Sequence, residues 1–340
     1  MRRKTMKRVL ASTISVMLIF LGLIGCAKTN STTPSSVAEV KAIKIAIVQI
    51  VEHPALDAAR QGFLDSLKTG GYEVGKNLTV DYKNAQGDQS TLNSIAQKFA
   101  TDKPDLILTV ATPSAQAMAA ATKDIPILIT AVTDPVSAKL VNSMDKPGTN
   151  VTGTTDMNPI KDQFDLLKKL VPQAKAVGVI YNAGEVNSQV QVALVKQIAA
   201  TMGLTIVEAT VTSSADVMTA AQSLIGRVQV VYIPTDNTVV SAAQAVLQVT
   251  DKNKIPVISG ESSVVNMGGL GTIGINYGNL GKQTGDMALK ILKGSKPQDM
   301  PIESQKNFDT VINKDSVSTL GIQIPADIAS KATMVQTKKK

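Results

Sequence analysis

The chain of 340 residues has no tryptophan, one cysteine (Cys26) and one histidine (His53). A single cysteine excludes a disulfide within the chain, and with a single histidine it excludes a zinc site of cysteine and histidine ligands. Aromatic residues make up only 3% of the chain, which argues against nucleic-acid recognition by base stacking. We therefore expect no metal site, and any histidine-dependent chemistry would have to use His53.

The net charge of +8 does not predict a nucleic-acid partner either, because it is concentrated at the two ends of the chain. Arg2, Arg3, Lys4, Lys7 and Arg8 begin the sequence, and three lysines at 338–340 end it. These eight positive charges account for the whole excess. The part between them is electrically balanced, so a basic nucleic-acid-binding surface is not indicated.

The first segment predicts an export signal. A basic start is followed by an apolar run from about Val9 to Ile24, which is shorter than the roughly 20 residues of a membrane-spanning helix. The run ends at LIGC, which resembles a bacterial lipobox, in which the signal is cut and Cys26 carries lipid. We expect a signal peptide at 1–25 and a flexible Ser/Thr-rich tether at 26–41. An uncleaved anchor is the alternative, and both place the body outside the cytoplasm on the membrane surface.

From Ala42 onward, short apolar segments alternate with amphipathic helical patterns. In the first helical pattern, for example, Leu56, Ala59, Phe63 and Leu67 share one face. Fully apolar strands that alternate with helices are typical of parallel sheets covered on both faces. A second such series begins near Asp156. The sequence therefore predicts an α/β fold with two doubly wound, parallel-sheet lobes.

Polar residues follow most of the predicted strands. In an open α/β sheet, ligands bind outside the carboxyl ends of the strands, where such residues would lie. Many can equally be helix caps, but acids at several of these turns, in both lobes, exceed what capping needs. Helix N-termini suit a carboxylate, and an acid such as Asp236 or Glu185 suits an ammonium, so the set would fit a zwitterion between two lobes. The strand-end residues are His53, Thr112, Ser114, Thr133, Asp134, Asn182, Glu185, Asn187, Ser188, Thr235, Asp236, Asn237 and Glu261.

Motifs for nucleotide binding and covalent catalysis are missing. No GxGxxG follows the first strand, and neither GxxxxGK[ST] nor GxSxG occurs. His53 lies beside Pro54 at the mouth of the first strand, which favours a hydrogen-bonding or shape role over that of a general base. We therefore expect no cofactor and no enzymatic activity.

Several segments together resemble a known family. They are IAIVQIVEHPALDAARQGF, ATPSAQAM, AVTDPVSAKLV, GVIYNAGEVNS, VYIPTDNTV and TIGINYGNLGKQTGDMALKIL. In this order, and after a lipobox, they resemble the substrate-binding lipoproteins of a bacterial ABC transporter family associated with tryptophan and other aromatic amino acids. The similarity spans about Ala42 to Ile328.

The resemblance implies a type I periplasmic-binding-protein fold, with a hinge crossed three times and a ligand in the cleft. It implies a first lobe of 42–156 plus 274–298, a second lobe of 157–273 plus 299–330, and a basic tail at 331–340. It also implies ligand-binding roles for residues of both lobes. These are His53, Thr112, Ser114, Thr133 and Asp134 in the first lobe, and Asn182, Glu185, Asn187, Ser188, Asp236 and Asn237 in the second.

The function implied by the resemblance is capture of a small solute, first of all an aromatic amino acid, for an ABC permease and its ATPase. The protein would be held at the membrane by the lipid on Cys26. Two alternatives remain open from sequence: a surface-anchored enzyme on the same fold, and a sensor that presents the ligand to a signalling partner.

Overall fold

The structure is a computed structural model that describes residues 42–338. The predicted signal peptide, the lipid-carrying Cys26 and the tether lie outside the described residues. The described residues all belong to one compact unit. Within 42–338, no helix combines the length and the apolar character that crossing a bilayer requires.

Strands and helices alternate along the described chain, as the apolar periodicity predicts. The strands are β1 (Ile43–Gln49), β2 (Leu78–Asn84), β3 (Leu106–Val110), β4 (Ile127–Val132), β5 (Val151–Thr155), β6 (Ala176–Asn182), β7 (Thr205–Val211), β8 (Val230–Ile233), β9 (Val257–Ser259), β10 (Gly271–Gly274), β11 (Glu303–Ser304), β12 (Asp309–Asn313) and β13 (Thr333–Val335). The helices are α1 (Pro54–Thr69), α2 (Gln89–Asp102), α3 (Thr112–Ala121), α4 (Ile160–Leu170), α5 (Val186–Thr201), α6 (Val217–Ser223), α7 (Asn237–Ser241), α8 (Ala243–Lys252), α9 (Ser262–Met267), α10 (Tyr277–Leu292), α11 (Lys314–Leu320) and α12 (Ala326–Ala329).

The first lobe is built on a six-stranded sheet of order β11-β5-β4-β3-β1-β2. All of its strand pairs are parallel. Strands β3, β4 and β5 are buried at every residue, because helices cover the sheet on both faces. The carboxyl ends of these strands therefore all lie at one edge of the lobe.

The second lobe is built on a seven-stranded sheet of order β13-β12-β10-β9-β8-β6-β7. Its pairs are parallel except for β10 with β12, which run antiparallel. The predicted α/β fold with two doubly wound lobes is thus confirmed, with β12 and β13 at one edge running opposite to the other strands of the second sheet.

The chain crosses between the lobes three times, at 156–159, 275–276 and 305–308. Hydrogen bonds tie these crossings to one another. The Asn158 side-chain oxygen accepts from the Ile275 N–H at 3.2 Å. The Gln305 amide donates to the Asn276 carbonyl at 2.8 Å and accepts from the Asn276 N–H at 3.2 Å. These hydrogen bonds therefore join the three segments into one hinge.

Two boundaries predicted for the lobes need correction. Residues 299–330 were assigned to the second lobe, yet β11 pairs with β5 in the first sheet. Residues 331–340 were assigned to a tail, yet β13 pairs with β12 in the second sheet. Both strands are only two or three residues long, so they join their sheets through backbone pairing without an apolar pattern that a sequence could reveal.

Helices α1 and α10 pack with their backbones in contact. A Cβ on Gly281 would lie 1.9 Å from the Ala59 carbonyl oxygen, and one on Gly62 would lie 2.1 Å from the Gly278 carbonyl oxygen. Only glycine allows this approach. The close contact fixes the two helix N-termini relative to each other, and these carry His53 and Tyr277 at the edge of the lobe where the strands end.

Candidate functional site

The carboxyl ends of the two sheets enclose a cavity between the lobes. Its walls lie close together and leave about 10 Å³ between them, about the space of one water molecule. A ligand of amino-acid size therefore needs the lobes to lie further apart than they do here. The first lobe contributes His53, Leu56 and Ala131, and the second contributes Asn187, Thr235, Asn237, Val240 and Glu261. Asp156 and Tyr277 come from the ends of the first two crossings.

Buried polar atoms without a hydrogen-bond partner concentrate at this edge. Among the described residues there are seven: Gln49 Oε1, His53 Nδ1, Thr112 Oγ1, Ser114 Oγ, Asp156 Oδ1, Asn187 Oδ1 and Thr235 Oγ1. Each lies at or just after the carboxyl end of a strand, and four belong to residues that line the cavity. Leaving a buried polar atom unpaired costs about 1–3 kcal/mol, so such a cluster points to a ligand that supplies the missing partners.

Helix α3 offers a place for a negatively charged group. It begins with two hydroxyl side chains that have no partner, Thr112 (1% exposed) and Ser114 (0% exposed). Its N-cap residue, Ala111, provides no capping side chain and has a positive φ of 77°. The free N–H groups of the first turn carry a partial positive charge, and together with the two hydroxyls they suit a carboxylate.

Asp156 offers a place for a positively charged group. Its side chain is buried, and Oδ2 accepts a hydrogen bond from the Tyr277 hydroxyl at 2.6 Å, whereas Oδ1 has no partner. Burial raises the pKa of Asp156, and the hydrogen bond from the Tyr277 hydroxyl opposes this rise. An ammonium at Oδ1 would provide the charge partner that a buried carboxylate requires.

Glu185, predicted to bind a ligand, already has protein partners on both oxygens. Oε2 accepts from the side chain of Asn187 and from the backbone and side chain of Asn237, at 2.6–3.2 Å. Oε1 accepts from the backbone and side chain of Thr238, at 3.1 and 2.8 Å. In the structure this carboxylate therefore joins the starts of α5 and α7 and holds the cavity-lining Asn187 and Asn237 in place.

Asp236, also predicted to bind a ligand, is held in the same way. It accepts from the Asn182 N–H at 2.6 Å, the Ser188 hydroxyl at 2.6 Å and the Val239 N–H at 2.8 Å. Burial and the negative charge of Glu185 raise the pKa of Asp236 to about 7. Asn182 and Ser188 thus act here as supports for the turn that carries Thr235 and Asn237. Their contact with a ligand stays a prediction.

Thr133 and Asp134 follow β4 but do not line the cavity. Asp134 accepts from the Val136 and Ser137 N–H groups at 3.0 Å, which makes it the cap of the turn after the strand. The Thr133 carbonyl accepts from the Thr155 hydroxyl at 2.7 Å, and Thr133 lies behind Asp156. A ligand role for either residue also stays a prediction.

His53 meets the second lobe across the cavity. Burial lowers the pKa of His53 from 6.5 to about 4, and the nearby Asn237 side chain partly opposes that fall. The ring is therefore neutral at pH 7. Because the two residues belong to different lobes and line the same cavity, their proximity belongs to a closed arrangement of the cleft.

The strand-end argument missed three of these polar positions. Asp156 follows β5, whose VTGTT sequence lacks the apolar run by which strands were recognised. Tyr277 enters from a helix that begins more than a hundred residues further along the chain, at the second crossing. Gln49 is the last residue of β1, and nothing in the sequence distinguishes its amide from a surface one. The rule that the polar residue after a buried strand faces the cleft finds Asp156 once β5 is known.

A larger depression of about 520 Å³ lies at the opposite edge of the first lobe. It is an open groove beside the amino ends of β4 and β5, with the exposed lysines Lys123, Lys139 and Lys296 around it. None of the unpartnered buried atoms borders it. Buried polar groups, rather than size, therefore identify the interlobe cavity as the candidate site.

The chain is similar to several known proteins. Residues 44–336 match the family described as ABC transporter substrate binding protein. The chain is 42% identical over 321 residues to a "Tyrosine-binding protein" of Clostridioides difficile (strain R20291), with 93% of each chain covered. It is 36% identical to the crystal structure of an ABC domain in complex with L-Trp from Streptococcus pneumonia, with 87% and 100% of the chains covered and a TM-score of 0.84.

A third relative bears on the arrangement of the lobes. The ligand-free, open structure of a substrate binding protein with adhesive properties from Clostridium difficile is 48% identical, with 87% and 100% of the chains covered, and its TM-score is 0.67. The structure thus agrees better with the tryptophan complex than with the open form, although the open form is closer in sequence. This indicates that the lobes are closed. Solute-binding proteins only 13% and 17% identical share the fold, with TM-scores of 0.57.

Proposed function

Because the chain belongs to the ABC transporter substrate-binding protein family, we propose that it captures an aromatic amino acid in the interlobe cavity for delivery to an ABC permease. The observation that carries this proposal is the set of seven unpartnered buried polar atoms at the strand ends of both lobes. The aromatic class is supported by the relatives, since one is named for tyrosine and another was crystallised with L-Trp.

The two charged groups of an amino acid match two parts of the cavity region. Its carboxylate suits the start of α3, where Thr112 and Ser114 present free hydroxyls. Its ammonium suits Oδ1 of Asp156. We infer that Asp156, rather than Glu185 or Asp236, is the ammonium partner, because the other two carboxylates already accept protein hydrogen bonds on both oxygens.

Closure around the hinge is the physical basis of capture. The first lobe holds the carboxylate, the first crossing holds the ammonium, and Asn187 and Thr235 of the second lobe approach only when the lobes close. A ligand that contacts both lobes therefore shifts the population towards the closed form. The free energy of the additional contacts sets the size of this shift. Opening removes them and releases the ligand to the permease.

We propose binding without chemical change of the ligand. His53 is the one histidine of the chain, and its pKa of about 4 makes it a weak base at neutral pH. The hydroxyls of Thr112 and Ser114 have no hydrogen bond to a base that could activate them.

We also propose that the protein is exported and held on the outer face of the cell membrane by lipid on Cys26. The basic start, the short apolar run and the LIGC motif support this proposal. Cys26→Ser should move the protein from the membrane fraction to the soluble fraction. If the variant stays in the membrane fraction, an uncleaved anchor holds it instead.

The ligand can be tested by calorimetry and thermal unfolding with the twenty amino acids. L-tyrosine or L-tryptophan should raise the unfolding temperature, and a ligand at a hundred times its dissociation constant adds about 2.7 kcal/mol to the free energy of unfolding. Tyramine, which lacks the carboxylate, and N-acetyl-tyrosine, which lacks the ammonium, serve as matched controls and should bind far more weakly. If no amino acid binds at millimolar concentration, the proposal is wrong.

A further inference from the structure

The second lobe presents a hydrogen-bond acceptor to the cavity in a fixed direction. Asn187 is 3% exposed, and its side-chain N–H₂ donates to Glu185 Oε2 at 3.0 Å and to the Thr235 carbonyl at 3.2 Å. A flipped amide would set its oxygen against these two acceptors, so the orientation is determined by its partners. The amide oxygen is left without a partner in a residue that lines the cavity.

A hydroxyl group without a partner belongs to a second residue of the same cavity wall. The Thr235 side-chain oxygen is buried and also has no partner, and Thr235 lines the same cavity. Gln191, which is 0% exposed, braces both residues. Its amide donates to the Asn187 carbonyl at 3.2 Å and accepts from the Thr235 N–H at 3.1 Å. The acceptor and the hydroxyl are therefore held as a rigid pair.

Oδ1 of Asp156 and Oδ1 of Asn187 are both free acceptors in the cavity wall, but they differ in charge, and this separates their partners. The carboxylate oxygen of Asp156 suits the ligand's ammonium, whereas the neutral amide oxygen of Asn187 suits a neutral donor. A hydroxyl is the group that both donates and accepts, so it can donate to Asn187 and accept from Thr235 at once. An indole N–H can donate to Asn187 but cannot accept from Thr235, and a phenyl ring does neither.

We propose that Asn187 and Thr235 together receive a hydroxyl group on the side chain of the ligand, so that the site selects tyrosine over phenylalanine. This inference rests on the proposed function, because it takes the ligand to be an aromatic amino acid. It adds that two residues of the second lobe determine which aromatic amino acid is bound. A phenylalanine in the site would leave two buried polar atoms unpaired, and such mismatches reject ligands strongly.

Calorimetric titration of the wild-type protein with L-tyrosine, L-tryptophan and L-phenylalanine tests the preference. Tyrosine should bind about ten- to a hundredfold more tightly than phenylalanine, with tryptophan between them. Equal affinities for tyrosine and phenylalanine would overturn the inference and leave the proposed function standing. If none of the three binds, the proposed function fails as well.

Variants at Thr235 test which residues carry the preference. Thr235→Val keeps the shape and removes the hydroxyl, so it should weaken tyrosine binding about tenfold and leave phenylalanine binding within about twofold. Thr235→Ser keeps the hydroxyl and should keep the preference for tyrosine over phenylalanine. Thr201→Val, an exposed position at the end of α5, is the control and should leave the ratio of affinities unchanged. An equal loss for both ligands in Thr235→Val, with an unchanged unfolding temperature, would overturn the inference.

Discussion

The Tyr277 hydroxyl donates a hydrogen bond of 2.6 Å to Oδ2 of Asp156 and thereby joins the ends of the first two crossings between the lobes. Both side chains are buried, with exposed fractions of 6% and 3%. Burial and the neighbouring carboxylate raise the pKa of Tyr277, so its hydroxyl keeps its proton and acts as a fixed donor. The bond leaves Oδ1 of Asp156 directed to other partners. The orientation of the proposed ammonium site is thus set at the hinge itself.

Asp156→Asn should weaken amino-acid binding by tens-fold or more. The change keeps the shape and removes the charge that we assign to the ammonium, and loss of one member of a buried ion pair costs about 2–5 kcal/mol. Calorimetry measures the affinity, and Asp315→Asn, at the start of α11 and outside the cavity, is the control. Equal losses in the two variants would contradict the assignment.

Thr112→Val and Ser114→Ala should each weaken tyrosine binding by about tenfold or more, because each removes a hydroxyl donor to the ligand's carboxylate. Neither should alter the weak binding of tyramine, which has no carboxylate. Affinities for both ligands, measured on both variants, give the comparison. A parallel loss for tyramine would mean that α3 contributes shape rather than carboxylate recognition.

His53 should make stability depend on pH in a defined direction. Since its pKa falls from 6.5 in the unfolded chain to about 4 in the folded one, the unfolded chain binds more protons between these pH values. The free energy of unfolding therefore falls as pH is lowered from about 6.5, by about 3 kcal/mol once pH 4 is passed. Urea unfolding of the wild type and His53→Gln from pH 4 to 7 isolates this contribution.

The raised pKa of Asp236 acts in the opposite direction. Its stabilising contribution is lost as pH rises towards about 7, because the folded state binds its proton more tightly than the unfolded state does. Both proteins of the His53 comparison contain Asp236, so its effect cancels in their difference. If the two pH profiles run parallel, His53 is not buried as a neutral ring.

Asp236→Ala should lower the free energy of unfolding by about 3 kcal/mol or more. The variant leaves three buried donors, from Asn182, Ser188 and Val239, without their acceptor. Urea unfolding monitors the loss, and Asp315→Ala, at the start of α11, gives a reference for removal of a more exposed acid. An unfolding free energy that stays at the wild-type value would show that the turn does not depend on this carboxylate.

Gly281→Ala should destabilise the first lobe by about 1–3 kcal/mol, because the new Cβ would lie 1.9 Å from the Ala59 carbonyl oxygen and force α1 and α10 apart. Gly278→Ala in the same helix is the matched control. Its Cβ would come no closer than 3.4 Å to a neighbour, and alanine is the better helix former. Thermal unfolding distinguishes them: the first variant should melt lower than the wild type, and the second at least as high.

The fold could be predicted because the central strands of the two sheets, such as β3, β4, β6 and β8, are apolar on both faces. β5 shows where this signal fails. It is buried at all five positions, yet three of them are threonine. The Thr152 hydroxyl donates to the Met300 carbonyl and the Thr154 hydroxyl is bonded to Thr284, both at 2.8 Å. Their partners lie 148 and 130 residues away in sequence, so no local pattern marks the strand as buried.

The sequence predicted where the candidate site lies, but it did not predict the role of each residue in the site. The strand-end rule located His53 and Asn187 of the cavity wall. It could not tell Asp156 from Glu185 and Asp236, because all three are acids next to buried strands or helix starts. What separates them is the number of protein donors that each oxygen meets, and these donors come from segments far apart in the sequence. Sequence patterns therefore indicate where a ligand lies before they indicate which groups touch it.

The pairing of α1 with α10 also dictates an order of assembly. The Ser66 hydroxyl bonds Asp286 across this contact, and the two residues are 220 positions apart in the chain. The first lobe therefore cannot be completed until residues 160–274 of the second lobe have been synthesised. Contacts so distant in sequence slow folding. If the chain is exported as we propose, such late completion would leave the polypeptide unfolded while it crosses the membrane.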